Sequence, residues 1–333
     1  MKLEIKAGPN GIEGGVRWPE AQEEMEKAGR VSPWMITTMK LMPPLMLARK
    51  MRGMMGFPNK DIARRPLETR HFSIDGPNGG VAVRSYKPAG DRLPVVVYFH
   101  GGGWIGGSVE VVENICRGIA DKAGCVALNV DYRLAPEHKF PAGLEDCYAA
   151  AAWAAENAAA LGGDPEKVFL AGDSAGGNFA TVCTLLAKER KGPAFAGQIL
   201  IYAAVLMAEG PGEGEEAGEA SKNPLMAVVP KMYLRDRKLL TDPRVSPLLA
   251  KDLGGLPPAL VITAEFCFIR EQGEAYARKL SEAGVQVKAL RYNGLGHAFL
   301  DKVGVWPYAD GCVADIADYI DSSLRTASST SSR

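Results

Sequence analysis

From about Arg70 onward, short apolar runs alternate with longer stretches of helical period. Strand-like runs fall at 69–75, 81–87, 94–100, 125–131, 167–172, 198–202, 259–264 and 286–292. Several are apolar throughout instead of alternating with polar positions. Val95-Val96-Val97-Tyr98-Phe99 is the clearest, and it indicates a strand covered on both faces. Helix-like stretches at 111–122, 143–160, 175–191, 271–283 and 308–324 fall between or after these runs. The pattern predicts an α/β fold with a mainly parallel central sheet flanked by helices.

Two segments interrupt the alternation. In the first, Trp34, Met35, Met39, Met42, Met46, Met51, Met54 and Met55 recur among Leu41, Leu45 and Leu47. Such a helical region serves as packing, as an adaptable wall over an acyl pocket, or as both. The second, 209–220, is a run of glutamate, glycine and alanine that reads as a solvated flexible loop. The amphipathic stretch 224–240 after it looks helical. These features divide the chain into an N-terminal cap region, 1–66, and a catalytic domain, 67–325, with a cap insertion at about 205–240. A disordered tail is expected over 326–333.

Composition narrows the function. The 333 residues are 47% hydrophobic and 23% charged, values of an ordinary globular protein, and no run has the apolar length to span a bilayer. The formal net charge is zero, which leaves no overall electrostatic footprint for nucleic acid. Met1-Lys2-Leu3-Glu4-Ile5 has no apolar core of secretory length, so a cytoplasmic protein is expected. The six cysteines have no metal-ligand spacing and sit in apolar segments, as buried free thiols do. No metal or cofactor is implied. Oligomeric state stays open, a homodimer included.

The chemistry lies in three places. Gly172-Asp173-Ser174-Ala175-Gly176 joins a strand-like run to a helix-like one, which puts Ser174 on a tight strand-to-helix turn where a hydrolase nucleophile belongs. His100-Gly101-Gly102-Gly103 follows the 94–100 run, so the amides of Gly102 and Gly103, with that of Ala175 at a helix start, would form an oxyanion hole. His297 comes late in the chain, after the last strand-like run, and is the base by elimination. His71 lies in an early strand, His100 braces the glycines and His138 sits in a proline-flanked loop.

With Asp131-Tyr132-Arg133-Leu134-Ala135-Pro136-Glu137 and Asp242-Pro243-Arg244-Val245-Ser246-Pro247-Leu248 added to His100-Gly101-Gly102-Gly103-Trp104 and Gly172-Asp173-Ser174-Ala175-Gly176-Gly177, the chain resembles the hormone-sensitive-lipase-like (bacterial family IV type) carboxylesterases of the α/β-hydrolase superfamily. The likeness covers about 70–324. It implies a serine carboxylesterase for small-molecule esters of short to medium acyl chain, with a cap over the site. It also implies that Asp131 and Glu137 act as structural braces.

One departure stands out. Where members of that family carry the catalytic aspartate, this chain has Cys267, read here as a buried neutral thiol. Three explanations follow. Glu271, about one helical turn further on, is preferred as the third member; Glu265, two residues earlier on the same strand face, is the second; and Ser174 with His297 as a bare weakened pair is the third. Loss of the acid also raises a rival reading, a silent hydrolase fold that binds a small apolar carboxylate or ester. The same serine machinery would equally serve an amide, a lactone or an acetylated sugar.

Overall fold

The computed structural model describes residues 1–8, 14–29, 41–56, 58–77, 79–207 and 228–330. Among the described residues, nine strands form one sheet: β1 (Leu3–Lys6), β2 (Glu68–Gly76), β3 (Gly79–Lys87), β4 (Leu93–Phe99), β5 (Val126–Asp131), β6 (Gly163–Asp173), β7 (Gly197–Ile201), β8 (Ala259–Phe266) and β9 (Val287–Gly296). Their order is β1-β9-β8-β7-β6-β4-β5-β3-β2. All neighbours are parallel except β2 with β3 and β3 with β5. The eight strand-like runs of the sequence are the last eight of these.

The continuous apolar run of β4 explains the two-sided burial. Val95, Val97 and Phe99 enter one hydrophobic core, while Val96 and Tyr98 enter the other, as the two-residue period of a strand requires. The first core is shared with α4 (Ala142–Asn157) and α5 (Ala175–Arg190), the second with α3 (Glu113–Ala123) and α8 (Pro307–Thr330). Each such valine contributes on the order of 1.5–3 kcal/mol by leaving water.

The N-terminal cap region 1–66 needs correction. Leu3–Lys6 is no cap but the edge strand β1, parallel to β9 with Leu3 opposite Ala289 and Lys6 opposite Tyr292. Lys6 is anchored by an ion pair to Asp315 of α8 at 2.8 Å. Trp18, just before α1 (Pro19–Gly29), packs edge-on against Trp306 and Tyr308. Of the described residues in that region, α2 (Pro44–Arg52) and the turn after it reach the cap position.

Of the tail expected to be disordered, 326–330 continues α8 to Thr330, and 331–333 lies outside the described residues. Residues 34, 35 and 39 and the 209–220 loop lie outside the described residues, as does 224–227. What remains of the expected 224–240 helix is α6 (Val229–Tyr233) and a 3₁₀ turn at Arg237–Thr241. The remaining long helices packed on the sheet are α7 (Arg270–Glu282) and α8.

Candidate active site

β6 ends at Asp173, and the chain reverses into α5 through Ser174, whose backbone has φ 52° and ψ −114°. That left-handed, strained geometry lifts the hydroxyl clear of both elements. The turn is held by Ser174 N–H donating to Ile201 O at 2.9 Å and Ala204 N–H donating to Ser174 O at 3.0 Å. A Cβ on Gly176 would run into the Phe99 carbonyl at the end of β4, so only glycine lets α5 approach the sheet this closely.

The glycine loop after β4 is tied to that turn by Asp173. One of its carboxylate oxygens accepts Gly101 N–H at 2.9 Å and Tyr98 O–H at 3.0 Å, and burial pushes its pKa up to about 6. Gly102 has φ +124°, a conformation closed to other residues. The resulting fold of the loop, with Gly102 O accepting Gly106 N–H at 2.9 Å, carries Gly102 and Gly103 to the pocket that Ser174 lines. Ala175 begins α5 beside them. His100 braces this loop, as expected from sequence. Its Nδ1 meets Gly101 O at 2.7 Å, its ring stacks on Tyr132 at 4.2 Å, and Tyr132 O–H donates to His100 O at 2.6 Å. Burial takes His100 down to about 4.

His297 follows β9. Its Nε2 lies 3.0 Å from Ser174 Oγ, so two side chains 123 positions apart meet at hydrogen-bonding distance. The ring packs between Tyr202 and Phe268, and burial lowers its pKa to about 4. The other ring nitrogen, Nδ1, meets Cys267 Sγ at 3.1 Å. Burial pushes that thiol up to about 12, with the Ile269 backbone amide and then Arg270 opposing only in part.

The preference for Glu271 as third member does not match this geometry. The first turn of α7 directs its side chain outward, 77% exposed, beside Arg270 at 3.8 Å. Gln272 turns inward instead, accepting Leu206 N–H at 2.7 Å and lining the pocket. Glu265 is engaged elsewhere: one oxygen accepts Gly15 N–H at 2.5 Å and the other accepts Gly294 N–H at 2.7 Å, three residues before His297. Its role is to hold the histidine turn. The sequence named Glu265 only as an alternative acid and gave no sign of this role, since both its partners are backbone amides.

The pocket in front of Ser174 has a volume of about 340 Å³ and a mainly apolar lining that includes Met51, Met54, Met55, Leu206 and Phe268. The methionines come from α2 and its following turn. Arg52 clamps that helix down by donating to Ile105 O at 2.6 Å and Ala135 O at 2.8 Å and by a two-pronged pair with Glu137 at 2.8 and 2.7 Å. Glu137 is thus a brace, as the resemblance implied. Asp131 is exposed at the end of β5, and the bracing of that loop falls instead to Arg133 with buried Asp146, at 2.6 and 2.7 Å. The Asp242–Leu248 segment also supports the site: Val245 O accepts from Asn178, and Ser246 Oγ accepts Met207 N–H at 2.8 Å.

The family model for the alpha/beta hydrolase fold matches residues 96–301. The chain belongs to that family. It is 40% identical to an arylesterase of Saccharolobus solfataricus over 246 residues, 72% of this chain and 80% of that one. It is 39% identical to the carboxylesterase NlhH of Mycobacterium tuberculosis over 252 residues, 73% of this chain and 78% of that one. Among solved structures, a hyperthermophilic esterase of Pyrobaculum calidifontis superposes with a TM-score of 0.77 at 36% identity, covering 92% of this chain and 98% of its own. The likeness to hormone-sensitive-lipase-like carboxylesterases carried by the four motifs is borne out. Among the described residues, no helix is long and apolar enough to cross a membrane.

Proposed function

We propose that this hydrolase cleaves short to medium acyl esters through an acyl-enzyme on Ser174, with His297 as base and the amides of Gly102, Gly103 and Ala175 as the oxyanion hole. That it is a carboxylic ester hydrolase rests on relatives named arylesterase, carboxylesterase and carboxylic ester hydrolase. The observation that carries the residue assignment is the 3.0 Å contact between Ser174 Oγ and His297 Nε2 at a strained strand-to-helix turn.

In this mechanism His297 Nε2 takes the Ser174 proton as Oγ attacks the ester carbonyl. The negative charge that develops on the carbonyl oxygen is met by the glycine-loop amides and by the positive end of α5. The imidazolium returns its proton to the leaving alcohol as the C–O bond breaks. Water then repeats the sequence on the acyl-enzyme, with His297 taking its proton, and the carboxylic acid departs from a restored Ser174 hydroxyl. A largely apolar pocket of about 340 Å³ suits a small acyl or aryl ester.

The silent binding reading is not favoured, because a binding module has no use for a hydroxyl held against an imidazole under strain. Six buried unpaired thiols suit a reducing compartment, and on that ground the protein is assigned to the cytoplasm. Steady-state hydrolysis of p-nitrophenyl butyrate tests the proposal. Turnover lost in Ser174→Ala is the expected result; turnover undiminished in that variant would reject it.

A further inference from the structure

We infer that Cys267 is a positioning residue for ester hydrolysis: a neutral thiol that orients the His297 imidazole, so that the imidazolium formed during turnover has no anion opposite its Nδ1. This rests on the reading of Ser174 as nucleophile and His297 as base.

The contact itself is well defined. Cys267 N–H donates to Ala264 O at 3.1 Å and Cys267 O accepts Arg270 N–H at 2.9 Å, so the backbone at the end of β8 fixes where the sulfur sits. Its Sγ lies 3.1 Å from Nδ1. For His297 to take the Ser174 proton, Nε2 must be bare and Nδ1 must carry the hydrogen, which then points at sulfur. A carboxylate enforces that tautomer because it only accepts. A thiol both donates and accepts weakly, so it also permits the opposite arrangement, with S–H donating to Nδ1 and Nε2–H facing Ser174, from which no proton abstraction follows. Two penalties result: part of the enzyme rests in the wrong tautomer, and no negative charge offsets the imidazolium.

The nearby carboxylates do not fill this place. Glu271 faces solvent, Glu265 receives two backbone amides, and Glu274 is paired with Arg291 at 2.7 Å through each oxygen. Among the described residues, the ring is met by the Ser174 hydroxyl from the turn after β6 and by the titratable groups Tyr202 after β7 and Cys267 after β8. Asp173 and Asp301 line the same pocket, and burial raises both. The Ile269 backbone amide and Arg270 both favour the ionised form of Cys267, but burial of the sulfur outweighs them.

The test is Cys267→Asp, assayed for kcat, KM and the pH profile of kcat/KM on p-nitrophenyl butyrate, with Cys267→Ala beside it. Loss of a correctly acting acid costs a serine protease about 10⁴ in turnover, and the thiol recovers part of that, so Cys267→Asp is expected to raise kcat at least about tenfold. A carboxylate opposite Nδ1 also favours the imidazolium, so the acid limb of the profile, which follows a histidine lowered to about 4 in the parent, moves toward neutral pH. Cys267→Ala lowers kcat at unchanged KM. A folded Cys267→Asp with unchanged kcat and an unmoved acid limb overturns the inference. Should that variant not fold, Cys267→Ala decides: a parental kcat overturns it, and a fall in kcat alone supports it. Failure of the serine reading itself registers separately, as undiminished turnover in Ser174→Ala.

Discussion

Glu265→Gln probes how the histidine is held without touching the reacting atoms. The carboxylate accepts Gly294 N–H at 2.7 Å and Gly15 N–H at 2.5 Å, and Gly294 O in turn accepts Trp18 N–H at 2.9 Å. The N-terminal segment and the turn leading to His297 are therefore pinned to one side chain at the end of β8. Glutamine keeps one acceptor oxygen but places an NH₂ group against the second amide. One charge-assisted bond is lost, at a cost of about 2 kcal/mol. If that cost falls on the placement of His297, the competent population drops by up to about thirtyfold, since each 1.36 kcal/mol is a factor of ten. Kinetics on p-nitrophenyl butyrate should show kcat falling about tenfold or more with KM little changed, because the pocket lining is untouched. A kcat within about twofold of the parent would refute the claim that this carboxylate positions the histidine turn.

Gly176→Ala should cost about 3 kcal/mol or more, because the added methyl meets the Phe99 carbonyl and neither backbone can yield; chemical denaturation checks it, and a loss under about 1 kcal/mol would be contrary. Arg52→Lys keeps the charge but cannot make the two-pronged pair with Glu137 while reaching Ala135 O and Ile105 O, so KM should rise several-fold through a loosened α2, with kcat changing less. An unchanged KM would show that α2 does not depend on this clamp. Burial, with the nearby Asp173 carboxyl, raises Asp301 well above the usual carboxylate range, and one of its carboxyl oxygens lacks a hydrogen-bond partner. Its folded pKa lies above the unfolded value, so its stabilising contribution is complete below the unfolded pKa of about 3.9 and lost as pH rises through the folded one. Asp301→Asn should therefore raise the melting temperature more at about pH 8 than at about pH 5, and an equal change at both would contradict the assignment.

The sheet was legible because several of its central strands are continuous apolar runs that report two-sided burial directly, as in Val95–Phe99. The edge strand Leu3–Lys6 was not, since four residues with alternating charge carry no such signal and gain strand form by pairing with β9. Ser174, His297 and the glycine loop were readable from motif and order, because each demands a residue type that few others replace. That Cys267 holds the acid's position was readable from the motif, but that it, and no carboxylate, meets Nδ1 was not. Glu265 and Glu271 both lie within four residues of it, and only the outward start of α7 and the two amides claimed by Glu265 separate them. Arg52 was silent for a similar reason: its four acceptors lie 53 to 85 positions away.

The central claim is that Ser174 becomes acylated with His297 as its base. Intact-mass spectrometry after incubation with a p-nitrophenyl alkylphosphonate, followed by peptide mapping, reads it directly. The expected result is a single adduct on the peptide carrying Ser174, formed far more slowly in His297→Ala. An adduct on another residue, or a fully active enzyme that takes up no phosphonate, would contradict it.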